Sequence, residues 1–154
     1  MEEIEKQRPY SLLYYDTDSV LYVKHNDDEE IETGDYLGEL TNEIKTNYGD
    51  GAKCIGFVSL GPKNYGYEVI DKNGNIISNI KTKGISQVVH AANCITFEEM
   101  LRLANAYVHS DETIEIPVPQ RQFIINRHSQ IFTRYFDKIY RAISEKRVIC
   151  GNIT

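Results

Sequence analysis

Two aspartates, Asp16 and Asp18, interrupt an otherwise apolar and aromatic run, SLLYYDTDSVLYVK (residues 11–24). Leu, Tyr and Val on both sides favour extended chain, and a short polar break between two such runs is a turn signal. The stretch therefore predicts two antiparallel strands joined at Asp16–Ser19. A charged carboxylate in such a run is costly to bury unless it is paired or coordinates a metal. Residues i and i+2 of a strand face the same side, so the spacing predicts that both carboxylates approach one locus. Hard divalent cations such as Mg²⁺ accept carboxylate oxygens, substrate phosphates and water. Two such ions about 3.5–4 Å apart can clamp the attacking and leaving oxygens of an in-line phosphoryl displacement. From these residues alone the alternative stays open: a surface hairpin with polar Asp and Ser at its tip.

Charge is distributed unevenly around this feature. The formal net charge of −6 across 154 residues argues, as a sum, against a phosphate-bearing partner. The sum hides a gradient, however: residues 1–50 carry −10, residues 51–119 carry −1 and residues 120–154 carry +5. An acidic N-terminal part suits cations, and a basic C-terminal part suits a phosphate backbone. Hydrophobic residues make up 41 %, enough for a core. No window approaches the roughly 18 apolar residues of a membrane span, and MEEIEKQR is acidic where a signal peptide is basic. Cys54, Cys94 and Cys150 are far apart and odd in number, which disfavours a disulfide framework or a zinc site and suits a reducing interior. His25, His90, His109 and His128 are scattered, with no cysteine at metal-ligand spacing.

The remaining pattern is mixed. Residues 1–8 tolerate helix until Pro9 ends it, and residues 25–32 read as a mobile acidic loop. Leu37, Leu40 and Ile44 predict a short amphipathic helix over residues 34–48. Residues 52–60, 64–71 and 75–82 read as strands, with Asn73-Gly74 marking a hairpin. DKNGN at 71–75 resembles the start of a calcium loop but lacks its later Glu. Thr96 followed by Glu99 predicts a capped helix to about His109. Residues 113–125 read as extended, with Pro117 and Pro119 indicating an edge. Residues 129–138 have no single reading, and residues 140–146 suggest helix. The elements predict an α+β fold with antiparallel sheets.

The motif Tyr14-Tyr15-Asp16-Thr17-Asp18-Ser19 resembles YxDTDS, motif C of family B DNA polymerases. Lys63-Asn64-Tyr65 resembles the KxY motif of that family, and KTKGIS (81–86) resembles the KxKG stretch that commonly follows it. The block from Arg127 through RAISEKRVICGNIT is similar to the C-terminal part of the protein-primed branch, which serves viruses, linear plasmids and self-synthesising DNA transposons. The resemblance implies a DNA-directed DNA polymerase that adds dNTPs to a primer 3′ end with two Mg²⁺ or Mn²⁺ ions. Asp18 would bind the metals directly and Asp16 less directly. Tyr14, Thr17 and Ser19 would shape the hairpin and the primer end, and Lys63 and Tyr65 would hold the primer terminus. A lysine supplies a mobile point charge for phosphate, and a tyrosine a flat face with a hydroxyl donor.

The same resemblance makes residues 1–85 the C-terminal part of an antiparallel palm sheet with flanking helices, and residues 86–154 a partial thumb. Arg121, Arg127, Arg134, Lys138, Arg141, Lys146 and Arg147 interleave there with Phe123, Phe132, Tyr135, Phe136 and Tyr140. Most of these aromatics are expected in the core, and about half of the cations on duplex phosphate. Template-primer DNA, dNTPs and a terminal protein primer are the implied partners. The family's motif A (DxxSLYP), its fingers motif (KxxxNSxYG) and its exonuclease carboxylates have no counterpart in the sequence. The chain is thus expected to be a C-terminal part, inactive alone, with a further metal-binding aspartate on the missing N-terminal part of the same polymerase. Reverse transcriptases usually carry adjacent aspartates in YxDD, which Thr17 separates here. A non-catalytic, degenerate nucleic-acid-binding remnant and a purely structural protein are the other readings.

Overall fold

The computed structural model describes residues 2–29, 31–34, 36–86, 94–110 and 113–142. In chain order the elements are α1 (Glu2–Gln7), β1 (Leu12–Asp16), β2 (Ser19–Tyr22), α2 (Glu43–Tyr48), β3 (Lys53–Ser59), β4 (Tyr65–Ile70), β5 (Ile76–Lys81), α3 (Phe97–Ser110), β6 (Ile116–Ile125) and β7 (Ile131–Tyr140). The sheets are β1-β2, β3-β4-β5 and β6-β7. The first and last are antiparallel. Residues 60–64 and 71–75, which join the strands of the middle sheet, are too short for a parallel crossover. The fold is therefore α+β with antiparallel sheets and few helices. Among the described residues, no helix is long and apolar enough to cross a membrane.

The chain forms two compact units, Met1–Lys53 with Ile70–Asn75, and Cys54–Val69 with Ile76–Thr154. In the first, the Glu5 carboxylate of α1 accepts the backbone N–H groups of Tyr10 and Leu12, at 3.1 Å each, and so fixes the entry to β1. Ile4 is buried beneath this corner. The acidic loop that follows β2 is tethered at its start. Arg8 donates to both Asp27 and Asp28, and Asp28 also accepts the His25 N–H. The His25 N–H, followed by the Arg8 guanidinium, holds the Asp28 carboxyl below its ordinary range. This tether is complete above the usual aspartate range and is lost as acid protonates Asp28.

The helix expected over 34–48 is confined to Glu43–Tyr48. Gly38 has φ +96°, a left-handed conformation that ends helical propagation. The Glu39 carboxylate turns back over Gly34 to accept the Tyr36 N–H at 2.8 Å. Asn42 then caps the helix by accepting from the Lys45 N–H. Leu37 is fully exposed as a result, and its helical spacing with Leu40 reflects no buried stripe. At 71–75 the hairpin reading holds. Asp71 accepts from the Asn73 and Asn75 N–H groups, and Gly74 has φ +85°. The carboxylate is turned into its own loop.

In the second unit, α3 starts where Thr96 predicts. Thr96 Oγ1 accepts the Glu99 N–H, while the Glu99 carboxylate pairs with Arg102 and not with the cap. Phe97, Met100 and Leu103, three residues apart, bury one helix face. That face joins Val58, Leu60, Ile85, Ile95, Val118 and Tyr140 in one core. Gly56 of β3 and Gly66 of β4 admit the Phe97 ring, since a Cβ at either would sit 3.0–3.2 Å from it. The base of the β6–β7 hairpin closes the core. Gln120, buried, accepts the Ser86 N–H at 2.7 Å and donates back to the Ser86 carbonyl, and Lys138 donates to the Gly84 carbonyl. Tyr140 ends β7, so the helix expected over 140–146 does not begin there. Residues 143–146 lie outside the described residues. Leu103→Ala should cost about 2–5 kcal/mol in urea denaturation, whereas Val108→Ala, on the open side of α3, should stay within about 0.5 kcal/mol.

Candidate functional site

The β1–β2 register pairs Tyr14 with Leu21, Tyr15 with Val20 and Asp16 with Ser19, leaving Thr17 and Asp18 as a two-residue turn. This corrects the strand-alternation argument. Asp16 is the last residue of β1, but Asp18 is a turn residue, so i and i+2 geometry does not govern the pair. Asp16 is half-buried on the Tyr14 face, and Asp18 is exposed at the tip. Two-residue hairpin turns favour left-handed residues, and Thr17 adopts φ +54°. A β-branched residue is strained there. Local bonds hold the turn: Thr17 Oγ1 donates to Asp16 Oδ1 (3.3 Å), and Ser19 Oγ donates to the Asp16 carbonyl (3.1 Å). The Asp18 carboxylate makes no hydrogen bond or ion pair among the described residues.

Two carboxylates at one hairpin end are hard oxygen donors of the kind Mg²⁺ and Mn²⁺ accept. They supply only part of a donor set. Among the described residues no group of three or more His, Cys, Asp or Glu side chains is placed to hold an ion. An ion held there would need further donors, such as water, phosphate oxygens or other carboxylates.

Lys63 and Tyr65 belong to the other unit, at the β3–β4 turn. Asn64 N–H donates to the Gly61 carbonyl (3.1 Å), and Leu60 N–H donates to the Asn64 carbonyl (2.8 Å). Pro62 and Lys63 are thus the central residues, and Lys63 has φ +58° where a type II turn favours glycine. Lys63 is exposed. Tyr65 is half-buried, its ring 6.0 Å from Phe57 and 6.4 Å from Tyr67. Between them Asn64 points inward, and its Oδ1 accepts the Tyr140 hydroxyl at 2.9 Å in a buried pair. Burial pushes the Tyr140 hydroxyl well above its ordinary range, while the bond to Asn64 pulls the other way. Nothing in the local sequence marks Asn64, because its partner lies 76 residues away.

Comparison with protein-family models, curated proteins and solved structures returns no match.

The basic segment departs from expectation. Phe123 and Tyr135 are each 72 % exposed and Phe132 46 %, Phe136 is half-buried, and Tyr140 alone is buried. The strands β6 and β7 run ten residues, but the core covers only their base, and among the described residues no second layer packs on the outer aromatics. Arg121 and Arg134 lie exposed on the strands and Arg127 in the tip turn. Arg141 pairs with Glu115 at 3.2 Å. Lys146 and Arg147 lie outside the described residues. Thr17→Asn should stabilise the chain by about 1 kcal/mol, because asparagine tolerates the left-handed region. Tyr140→Phe should cost about 1–3 kcal/mol by leaving the side-chain Oδ1 of Asn64 unpaired. Chemical denaturation of each variant measures both.

Proposed function

We propose that this chain is part of a family B DNA polymerase of the protein-primed type, catalysing metal-dependent nucleotidyl transfer from dNTPs to a primer 3′ end. The observation that carries the reading is the hairpin tip. The residues that resemble motif C occupy a tight turn between antiparallel strands, with Asp18 exposed and Asp16 beside it. In this reading residues 1–85 are the C-terminal part of the palm and residues 86–154 part of the thumb. Asp18 holds the catalytic Mg²⁺ or Mn²⁺ ions directly, and Asp16 supports it. Two bound ions would activate the primer hydroxyl and neutralise the departing pyrophosphate. Lys63 and Tyr65 then hold the primer backbone near its terminus, the lysine by charge and the tyrosine by face and hydroxyl. Tyr14, Thr17 and Ser19 shape the tip, while Arg127, Lys146 and Arg147 contact template-primer phosphates. A terminal protein primer is the further partner.

A single palm hairpin does not complete a two-metal site, so the missing aspartate comes from the N-terminal part of the same polymerase. The purified chain, given primer-template, Mg²⁺ and four dNTPs, should show little or no extension; robust extension would refute this division of the site. In the intact polymerase, Asp18→Asn should lower the extension rate about a thousand-fold or more, equivalent to about 4 kcal/mol, with primer binding retained. Loss of DNA binding with chemistry intact would refute the role given to Asp18. A mere nucleic-acid-binding remnant would bind primer-template while gaining no activity when joined to the upstream part.

A further inference from the structure

The β6–β7 hairpin has two faces of different character. Directly opposed residues of an antiparallel pair share a face. The register therefore places Val118, Gln120 and Tyr140 on one face, with Arg134 and Lys138 further along it. The other face carries Phe123, Ile125, Ile131, Tyr135 and Ile139, each between 49 % and 72 % exposed. Its charged residues are Arg121 and Asp137, so its net charge is zero. Neither makes a hydrogen bond or ion pair among the described residues.

This face does not suit phosphate, and the β6 edge does not suit strand addition. Phosphate binding needs a surplus of cations, and on the opposite face lie Arg134 and Lys138, the latter already bonded to the Gly84 carbonyl. Along β6, Asn126 N–H pairs with the Gln130 carbonyl at the tip. Bonded and non-bonded pairs alternate from there, which sets Pro117 and Pro119 at positions whose N–H would point out of the ribbon. Their missing donors blunt that edge. What remains is packing by the face itself.

We propose that this face is the contact between two copies of the chain, packed ribbon against ribbon about a two-fold axis along the hairpin. That axis lays β6 of one copy over β7 of the other. Arg121 then meets Tyr135 of the second copy and lies diagonal to its Asp137, giving two symmetric cation–π and ion-pair contacts. The five apolar side chains offer roughly 500–700 Å² per copy, since an aromatic buries about 150–250 Å². The two faces together bury about 1,000–1,400 Å², near the lower end of stable specific interfaces. The inference does not depend on the polymerase reading, because this face holds neither the carboxylates nor Lys63 and Tyr65.

Sedimentation equilibrium of the chain tests it. A concentration-dependent dimer is expected, with dissociation in the micromolar range. Phe123→Lys should give a monomer with an unchanged circular-dichroism spectrum. Arg121→Asp and Asp137→Arg should each weaken the dimer about ten-fold, and the two combined should restore it to within about three-fold. A chain that stays monomeric at high concentration would overturn the proposal, as would a dimer indifferent to Phe123→Lys. A monomer whose Phe123→Lys variant loses affinity for single-stranded DNA would assign the face to nucleic acid instead and also overturn it.

Discussion

The close approach of α3 to the strands beneath it governs the larger unit. Phe97 can enter only because Gly56 and Gly66 present no side chain where its ring lies. Once Phe97 is seated, Met100 and Leu103 follow on the same face and meet Val118 and Tyr140 from the hairpin base. The β3–β4 turn, the loop at Gly84–Ser86 and the start of β6 are then fixed by side chains that this packing holds in place: Tyr140, Lys138 and Gln120. A methyl group at position 66 would press on Met100 and Ile80 as well as on the ring, so the seat has little slack.

Strain marks both candidate turns. Thr17 and Lys63 occupy left-handed backbone that a β-branched or long side chain seldom adopts. In each case the residue stands beside the side chains expected to do chemistry: Asp16 and Asp18 in one unit, Tyr65 in the other. Residues with smaller backbone penalties would fit both turns, and Tyr10 and Ser129, outside the candidate site, adopt the same left-handed backbone. In the polymerase reading, the two turns present a carboxylate end and a phosphate-holding end.

Periodicity and turn chemistry were enough to read the strands β3 to β5, the Asn-Gly hairpin and the Thr96 cap, because each is decided by near neighbours. The misreadings arise where distant or exceptional geometry prevails. Leu37, Leu40 and Ile44 have helical spacing, yet Gly38 and Glu39 organise a loop first. Asp16 and Asp18 have strand spacing, yet the second aspartate lies in the turn. The hairpin aromatics alternate as core residues do, but among the described residues nothing covers the two-stranded ribbon beyond the core. Asn64 was invisible because its worth depends on Tyr140, far along the chain.

That last bond has a kinetic consequence. Joining Asn64 to Tyr140 closes a loop of 76 residues, and contacts of such range form late because their closure entropy must be met first. The Lys63 turn therefore gains this anchor only once β7 has docked. Before that it rests on its local bonds, from the Asn64 N–H to the Gly61 carbonyl and from the Leu60 N–H to the Asn64 carbonyl. A chain with most of its strands already paired would thus still lack the long-range bond that ties this turn to β7.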